Sequence, residues 1–248
     1  MRYLILSDIH SNLEALDAVL RAAGAHKYDK VLMLGDLVGY GADPNAVVER
    51  VRALNPTAAL RGNHDKVASG LDDADDFNPM ARAAATWTRD ALTDSAMEYL
   101  RQLPMGPVLV DDHIEICHGS PLDEDLYVVA DLDVAQSITA ARRPLCLFGH
   151  THVAMSARLD RDGRLAIETP DGRAEFSTDL DAGATYLVNP GSVGQPRDGD
   201  ARAAYAIVDT RQKIVTLYRV AYPLEAAQHK ILAAGLPSSL AYRLGMGR

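Results

Sequence analysis

The sequence predicts an α/β fold, and two patterns along the chain support this prediction. Residues 1–60 alternate short β-branched runs with amphipathic segments, which is typical of parallel strands joined by helical crossovers. Residues 107–220 instead contain several strand-like runs separated by short Gly/Asp turns, which favours antiparallel pairing. Because no linker or internal repeat divides the two parts, we expect one domain over residues 1–248.

The first part is predicted to contain three strands and two helices. The strands are expected at residues 3–6, 30–34 and 57–60. Apolar residues from Leu13 to Leu20 recur at helical spacing, and Gly24 can end the helix that they form. The second helix is predicted to begin with Asp43 as its N-cap and Pro44 at its first position.

A helical insertion is predicted between the two parts, at residues 67–103. Asn78 is expected to start one helix, which carries Trp87, and a second helix is expected over residues 94–101. The sequence leaves two interpretations of this stretch open, namely a lid over the active edge of the sheet or an ordinary pair of crossover helices. It also leaves open whether the stretch forms an interface in a homo-oligomer.

The second part is predicted to be mostly strands. They are expected at residues 108–110, 114–117, 145–148, 153–159, 185–188, 204–208 and 214–220. Helices are expected at residues 132–141 and 223–234, the latter as the terminal helix. Cys117 and Cys146 lie in apolar runs, so we interpret them as buried reduced thiols.

The composition narrows the class of protein. Apolar residues make up 48% of the chain and charged residues 24%, as in an ordinary globular enzyme. The net charge of −9 argues against broad electrostatic capture of nucleic acid or of an anionic membrane. Since no signal peptide and no long apolar run are present, we expect no membrane association and a cytoplasmic protein.

Potential metal ligands are concentrated in five Gly-flanked stretches that follow predicted strands. Five of the eight histidines of the chain lie in these stretches. The candidate ligands are Asp8, His10, Asp36, Asn63, His118, His150 and His152. Because strand ends in an α/β sheet share one edge, these residues can meet there. Asp, His and Asn without Cys suit two hard or borderline divalent ions, a pair that favours phosphoester hydrolysis.

The motifs D-x-H, G-D-x-x-x-x-G, G-N-H-D, H-G and G-H-T-H occur in this order between Asp8 and His152. Together they resemble the calcineurin-like metallophosphoesterase superfamily. Residues 189–197 resemble the segment that closes the fold in its small bacterial and archaeal phosphodiesterase branch. The resemblance implies a four-layer α/β/β/α sandwich of two mixed sheets, with metals at the carboxyl ends of the strands.

The resemblance also implies a role for each motif residue. One ion would be held by Asp8, His10 and His152. The other would be held by Asn63, His118 and His150. Asp36 would bridge the ions, and His64 would bind no metal but face the phosphate. Manganese is the first expectation for both ions, and iron, zinc, nickel or cobalt also suit these ligands.

In the expected mechanism, a hydroxide shared by the two ions attacks the phosphorus atom. His64 then protonates the leaving alkoxide or stabilises the phosphoryl oxygens. Asp36 or Asp65 is a candidate to orient the His64 ring. We interpret Asp65 otherwise as a structural or capping residue.

Tyr40 bears on the class of substrate. It stands where protein phosphatases and symmetrical diadenosine tetraphosphatases carry a phosphate-gripping arginine, and the absence of that bidentate clamp favours a phosphodiesterase. We expect a small phosphodiester or nucleotide derivative as substrate, and no extended nucleic-acid track. The alternatives are a phosphomonoesterase or protein phosphatase, a dinucleoside polyphosphate hydrolase and a non-catalytic scaffold, which the intact His64 disfavours.

Four residues are candidates to bind the substrate. They are Arg61, Tyr40, Ser192 and Arg197. For Arg61 a salt bridge is an equally good interpretation, and for Ser192 and Arg197 the alternative is a tight turn that closes the fold.

Overall fold

Two six-stranded sheets pack face to face in the computed structural model, which describes all 248 residues. The first sheet contains, in spatial order, β3 (Ala58–Ala59), β2 (Lys30–Met33), β1 (Arg2–Leu6), β11 (Ala203–Asp209), β12 (Ile214–Val220) and β9 (Glu175–Asp179). The second contains β4 (Val108–Leu109), β5 (Ile114–Ile116), β6 (Leu145–Leu147), β10 (Thr185–Asn189), β7 (Met155–Leu159) and β8 (Leu165–Glu168). Both sheets are mixed, as the family resemblance implied.

Helices cover the outer faces of both sheets. They are α1 (Leu13–Ala23), α2 (Pro44–Ala53), α3 (Asn63–Ser69), α4 (Pro79–Ala91), α5 (Asp94–Arg101), α6 (Asp131–Ala140), α7 (Leu224–Ala233) and α8 (Ser238–Met246). Helices α1, α2 and α5 share one core with the first sheet, whereas α6 packs on the second. This arrangement is a four-layer α/β/β/α sandwich. None of the helices has the length and apolar character that a membrane span requires.

Successive side chains of the central strands point alternately into two different hydrophobic cores. In β1, Tyr3 and Ile5 point between the sheets, while Leu4 and Leu6 point to the helices. Because both faces of this strand are buried after Arg2, its sequence from Tyr3 to Leu6 is apolar without interruption.

The predicted pairing is only partly correct. β1, β2 and β3 are parallel, and the strands from β7 onward pair with one another antiparallel as predicted. However, β6 pairs parallel with both β5 and β10, so the second part is not uniformly antiparallel. Parallel strands need a long connection between them. Here α6 connects β5 to β6, and β7, β8 and β9 lie between β6 and β10 along the chain.

Four elements were missed by the sequence analysis. Strands β8 and β9 lie at sheet edges and are mostly exposed, so they lack the apolar runs that identify buried strands. Helix α3 is too short for a clear period. The helix predicted at residues 223–234 is present as α7, but it is not the terminal one, because α8 follows after Gly235, which turns the chain with a φ of +71°.

The insertion is helical as predicted, and its two helices differ in their surroundings. Ala96 and Leu100 of α5 enter the core beside the first sheet, as expected for a packed crossover helix. Ala81 and Ala84 of α4 instead pack with Tyr40 and with α7 and α8. Lys230 of α7 pairs with both Glu14 of α1 and Asp43, the N-cap of α2, which ties α7 to the helical layer over the first sheet.

Candidate metal centre

The fold brings all seven predicted ligands to one edge of the sandwich. Asp8 follows β1, Asp36 follows β2, and His118 follows β5. His150 and His152 follow β6. Asn63 begins α3 in the loop after β3. The side chains of the two Asp and four His residues are almost completely buried.

Five of these residues adopt an unusual backbone conformation. The φ angles are 54° at Asp8, 49° at His10, 53° at Asp36, 63° at His150 and 61° at His152. Residues other than glycine rarely adopt positive φ, and such strain persists only where the surroundings impose it. The turns at the strand ends therefore direct these side chains inward at a cost in free energy, which is typical of a functional site.

The ligand atoms form two groups that share one residue. Asp8, His10, Asp36 and His152 form the first group, and Asp36, His118 and His150 the second. Within each group the candidate ligand atoms lie within 4.8 Å of one another. Asp36 is therefore the residue that the two groups share.

In each of the four histidines, one ring nitrogen forms a hydrogen bond to a main-chain carbonyl oxygen. The Nδ1 atoms of His10, His118 and His152 lie 3.0, 2.8 and 2.6 Å from the carbonyl oxygens of Val38, Leu34 and Gln195. In His150 it is Nε2 that lies 3.0 Å from the Asp125 carbonyl. A carbonyl only accepts, so these nitrogens carry the proton and the opposite nitrogens of the neutral rings are free acceptors.

The free nitrogens point at one another. His10 Nε2 lies 3.1 Å from His152 Nε2, and His118 Nε2 lies 3.1 Å from His150 Nδ1. The Asp36 carboxylate lies 3.5 Å from both His10 and His118. When the rings are neutral, these lone pairs and carboxylates face one another with no N–H or O–H donor between them. The buried Asn63 Oδ1 also has no hydrogen-bond partner. This donor set fits divalent cations.

The buried carboxylates attract positive charge to this cluster of side chains. Although burial opposes protonation of His118, Asp36 and Asp8 raise its pKa to about 10. Burial, together with the charge of His118, lowers the pKa of His150 to about 3. The histidines outweigh burial at Asp36 and hold its pKa well below the usual range. The site therefore favours ionised carboxylates and a compensating cation.

His64 lies beside the ligands but outside both groups. Its main-chain N–H donates to Asp36 Oδ1 at 2.9 Å. Its ring packs at 4.3 Å from the Tyr40 ring and 4.7 Å from Phe77, between ring centroids. Gly39 permits this packing, because a Cβ there would lie 2.4 Å from His64 Nδ1.

The prediction that Asp36 or Asp65 orients the His64 ring is wrong. His64 Nδ1 is buried without a hydrogen-bond partner, so no carboxylate holds it. Asp65 instead accepts from the main-chain N–H groups of Leu37, Val38 and Gly62. It therefore caps α3 and fixes the loop after β2, which is the structural role predicted for it.

The four candidate substrate-binding residues differ in their surroundings. The Arg61 guanidinium forms a two-pronged pair with Glu124, at 3.1 and 3.0 Å. The buried Ser192 hydroxyl donates to the Asp8 carbonyl at 2.7 Å. The fold brings Tyr40 and Arg197 together, with Arg197 Nη2 3.5 Å from the Tyr40 hydroxyl. Both of these lie next to metal-ligand candidates: the Tyr40 ring is 4.7 Å from the His10 ring, and the Arg197 main-chain N–H donates to the His152 carbonyl at 3.2 Å.

A cavity of about 300 Å³ opens beside the centre. Asn63, His64 and His150 contribute to its wall, and so does the segment before α4, including Phe77. Part of the insertion therefore borders the site.

Three further residues at the site were not found from the sequence. The Tyr127 ring lies 3.8 Å from the His150 ring, and the Asp125 carbonyl holds the same histidine. The Arg243 guanidinium lies 5.8 Å from the centre of the Tyr40 ring. None of them stands in a motif or at a strand end, so the sequence carried no signal for them.

The chain belongs to the calcineurin-like phosphoesterase superfamily. The model of this superfamily domain matches residues 1–213. An uncharacterized protein of Methanocaldococcus jannaschii is 34% identical, with 98% of this chain and 97% of that protein covered.

Solved structures agree with this assignment. A metallophosphoesterase from Sphaerobacter thermophilus is 40% identical and superimposes with a TM-score of 0.87, with 100% of this chain and 99% of the other covered. A hypothetical protein from Pyrococcus horikoshii shares the fold at 23% identity and a TM-score of 0.79, over 100% and 98% of the two chains. The chain is therefore a phosphoester hydrolase by family, and the predicted resemblance is confirmed.

Proposed function

We propose that this protein is a binuclear metal-dependent phosphodiesterase that hydrolyses a small phosphodiester or nucleotide derivative. The observation that carries the proposal is the orientation of the four histidines. Each is held by a carbonyl at one ring nitrogen and presents the other to a shared centre with Asp8 and Asp36. Such outer hydrogen bonds orient imidazole ligands for a metal.

Seven residues would hold the ions, and Asp36 would bridge them. Asp8, His10 and His152 would complete one site, and Asn63, His118 and His150 the other. Divalent cations there, with manganese as our first choice, would lower the pKa of a shared water towards neutrality and offset charge on phosphate oxygens. The fixed ring orientations mean that the ligands need little rearrangement to bind them.

His64 would act on the leaving group or on the phosphoryl oxygens. Burial, reinforced by the charge of Arg197 and opposed by Asp36, lowers its pKa to about 4, so the ring is neutral at pH 7. Because Nδ1 has no acceptor in the protein, the single proton resides on Nε2. The neutral ring lines the cavity and would donate a hydrogen bond through this N–H to a substrate oxygen, whereas full proton transfer to the leaving group would require the imidazolium form of the ring.

Tyr40 supports a diester rather than a monoester. Its hydroxyl stands in place of an arginine clamp, and burial raises its pKa to about 12, so the side chain stays neutral. A monoester dianion loses more from the missing charge than a diester monoanion does.

A hydrolysis panel tests this function. With manganese bound, we expect kcat/KM for bis(4-nitrophenyl) phosphate to exceed that for 4-nitrophenyl phosphate. Cyclic nucleotides and dinucleoside polyphosphates complete the panel. Faster turnover of the monoester would contradict the diester assignment, and no turnover of any ester would contradict the enzymatic one.

A further inference from the structure

The cavity beside the candidate metal centre has an acidic wall. Four aspartates line it, and no lysine or arginine does. Asp72, Asp73 and Asp76 belong to the segment between α3 and α4, and Asp125 comes from the loop between β5 and α6. All four residues are exposed to solvent, so their carboxylates are accessible to a bound molecule.

The protein neutralises only part of this negative charge. Lys66 forms ion pairs with two of the aspartates, Asp72 and Asp125. Asp73 and Asp76 line the same cavity and form no ion pair. Because a cleft lined by charges of one sign concentrates the electric field, these two carboxylates favour a cation in the cavity.

Aromatic rings stand in the same wall. Phe77 and the half-exposed Tyr127 line the cavity, and so does Tyr40. Arg197 contacts the Tyr40 hydroxyl but does not itself line the cavity. The faces of aromatic rings attract ammonium groups, most effectively where carboxylates lie nearby. The wall therefore combines the two kinds of group that recognise an organic cation.

The cavity adjoins the candidate metal centre directly. Asn63 and His150 are candidate metal ligands and also line the cavity, so an ester held at the centre would extend into it. His64 in the same wall is only 3% exposed, and its Nδ1 and the Oδ1 atom of Asn63 have no hydrogen-bond partner in the protein. A concave space of about 300 Å³ with unpaired polar atoms is typical of a site for a small ligand.

We infer that this cavity binds an ammonium group carried by one of the two alcohols of the phosphodiester substrate. The inference rests on the proposed function and narrows its substrate class to diesters of amino alcohols. The metal centre would hold the phosphate, while Asp73 and Asp76 attract the ammonium group and Phe77 and Tyr127 offer it aromatic surface. The acidic wall would repel a monoester dianion or a substrate with a further phosphate, which agrees with the preference for a diester.

The test compares two chromogenic diesters that differ by one positive charge. They are 4-nitrophenyl phosphocholine and 4-nitrophenyl 3,3-dimethylbutyl phosphate, in which a carbon replaces the quaternary nitrogen. For the manganese-loaded wild type we expect kcat/KM to be about tenfold higher for the choline ester, mainly through KM. The ratio should fall with added salt, because the attraction is partly electrostatic.

The double variant Asp73→Asn, Asp76→Asn should bring this ratio close to one, with the metal content of the wild type. The matched control is Asp75→Asn, Asp90→Asn, which removes two negative charges from the same part of the chain but outside the cavity wall. It should keep the wild-type ratio. A wild-type ratio near one, an unchanged ratio in the double variant, or an equal loss in the control would overturn the inference.

Calorimetry separates this inference from the proposed function. In the presence of manganese, phosphocholine should bind the wild type about tenfold more tightly than the double variant, because the variant lacks the carboxylates that attract the ammonium group. The uncharged analogue 3,3-dimethylbutyl phosphate should bind the variant no less tightly than the wild type. If neither ester is hydrolysed, the proposed function fails, and the binding difference still decides the inference. Equal affinities for phosphocholine, or no binding of it to the wild type, would overturn it.

Discussion

Asp36→Asn is expected to abolish binding of the metal pair and to reduce diester hydrolysis by at least about 10³-fold, equivalent to about 4 kcal/mol of activation free energy. The asparagine keeps an oxygen for the main-chain N–H of His64, so the α3 start is preserved. It removes the negative charge that lies 3.5 Å from both His10 and His118. The metal sites then lose their shared ligand.

Elemental analysis of the purified variant and its rate on bis(4-nitrophenyl) phosphate measure the two effects together. Glu115→Gln is the matched control, because Glu115 is another fully buried carboxylate but lies in β5 and accepts from the Arg142 main chain. The control should retain the metal content and rate of the wild type. If Asp36→Asn did so too, Asp36 would not be a bridging ligand.

His64→Ala is expected to slow turnover by about 10²–10⁴-fold while the metal content stays unchanged, as for loss of general acid–base help. His64 belongs to neither group of ligand atoms, which is why metal binding should survive. The deficit should be greater for an ester with a poor leaving group than for a nitrophenyl ester, because a poor leaving group needs the proton more.

His113→Ala provides the control, since His113 is exposed at the opposite end of β5. Equal rates of His64→Ala and wild type on the poor leaving group would exclude the acid role. A loss of metal from His64→Ala would instead show that this residue supports the ligands.

The convergence of the candidate ligands could be predicted from the sequence because strand ends define their positions locally. Asp8 and His150 each follow an apolar strand, and parallel pairing of the β1–β2 and β5–β6 strands places their ends at one edge. The orientation of the rings could not be predicted, because it depends on carbonyls such as those of Val38 and Gln195. Main-chain acceptors have no sequence signature.

The residues that surround the candidate ligands, other than those in the motifs, were harder to predict for a related reason. Tyr127 and Arg243 come from a loop and from a helix that lie far from every motif, and only tertiary packing brings them to the histidines and to Tyr40. Strand β9 illustrates the same limit in the fold. Its single buried residue, Phe176, gives no alternating pattern, yet the strand completes the first sheet by pairing with β12.

The central claim is that a pair of divalent ions held around Asp36 enables diester hydrolysis. Its most direct test is a titration of metal-free protein with manganese, in which bound ions are counted by elemental analysis as the rate on bis(4-nitrophenyl) phosphate is recorded. We expect the rate to rise until two ions are bound per chain and to be negligible in their absence. Full activity in the metal-free protein, or saturation of the rate with a single ion, would contradict the account.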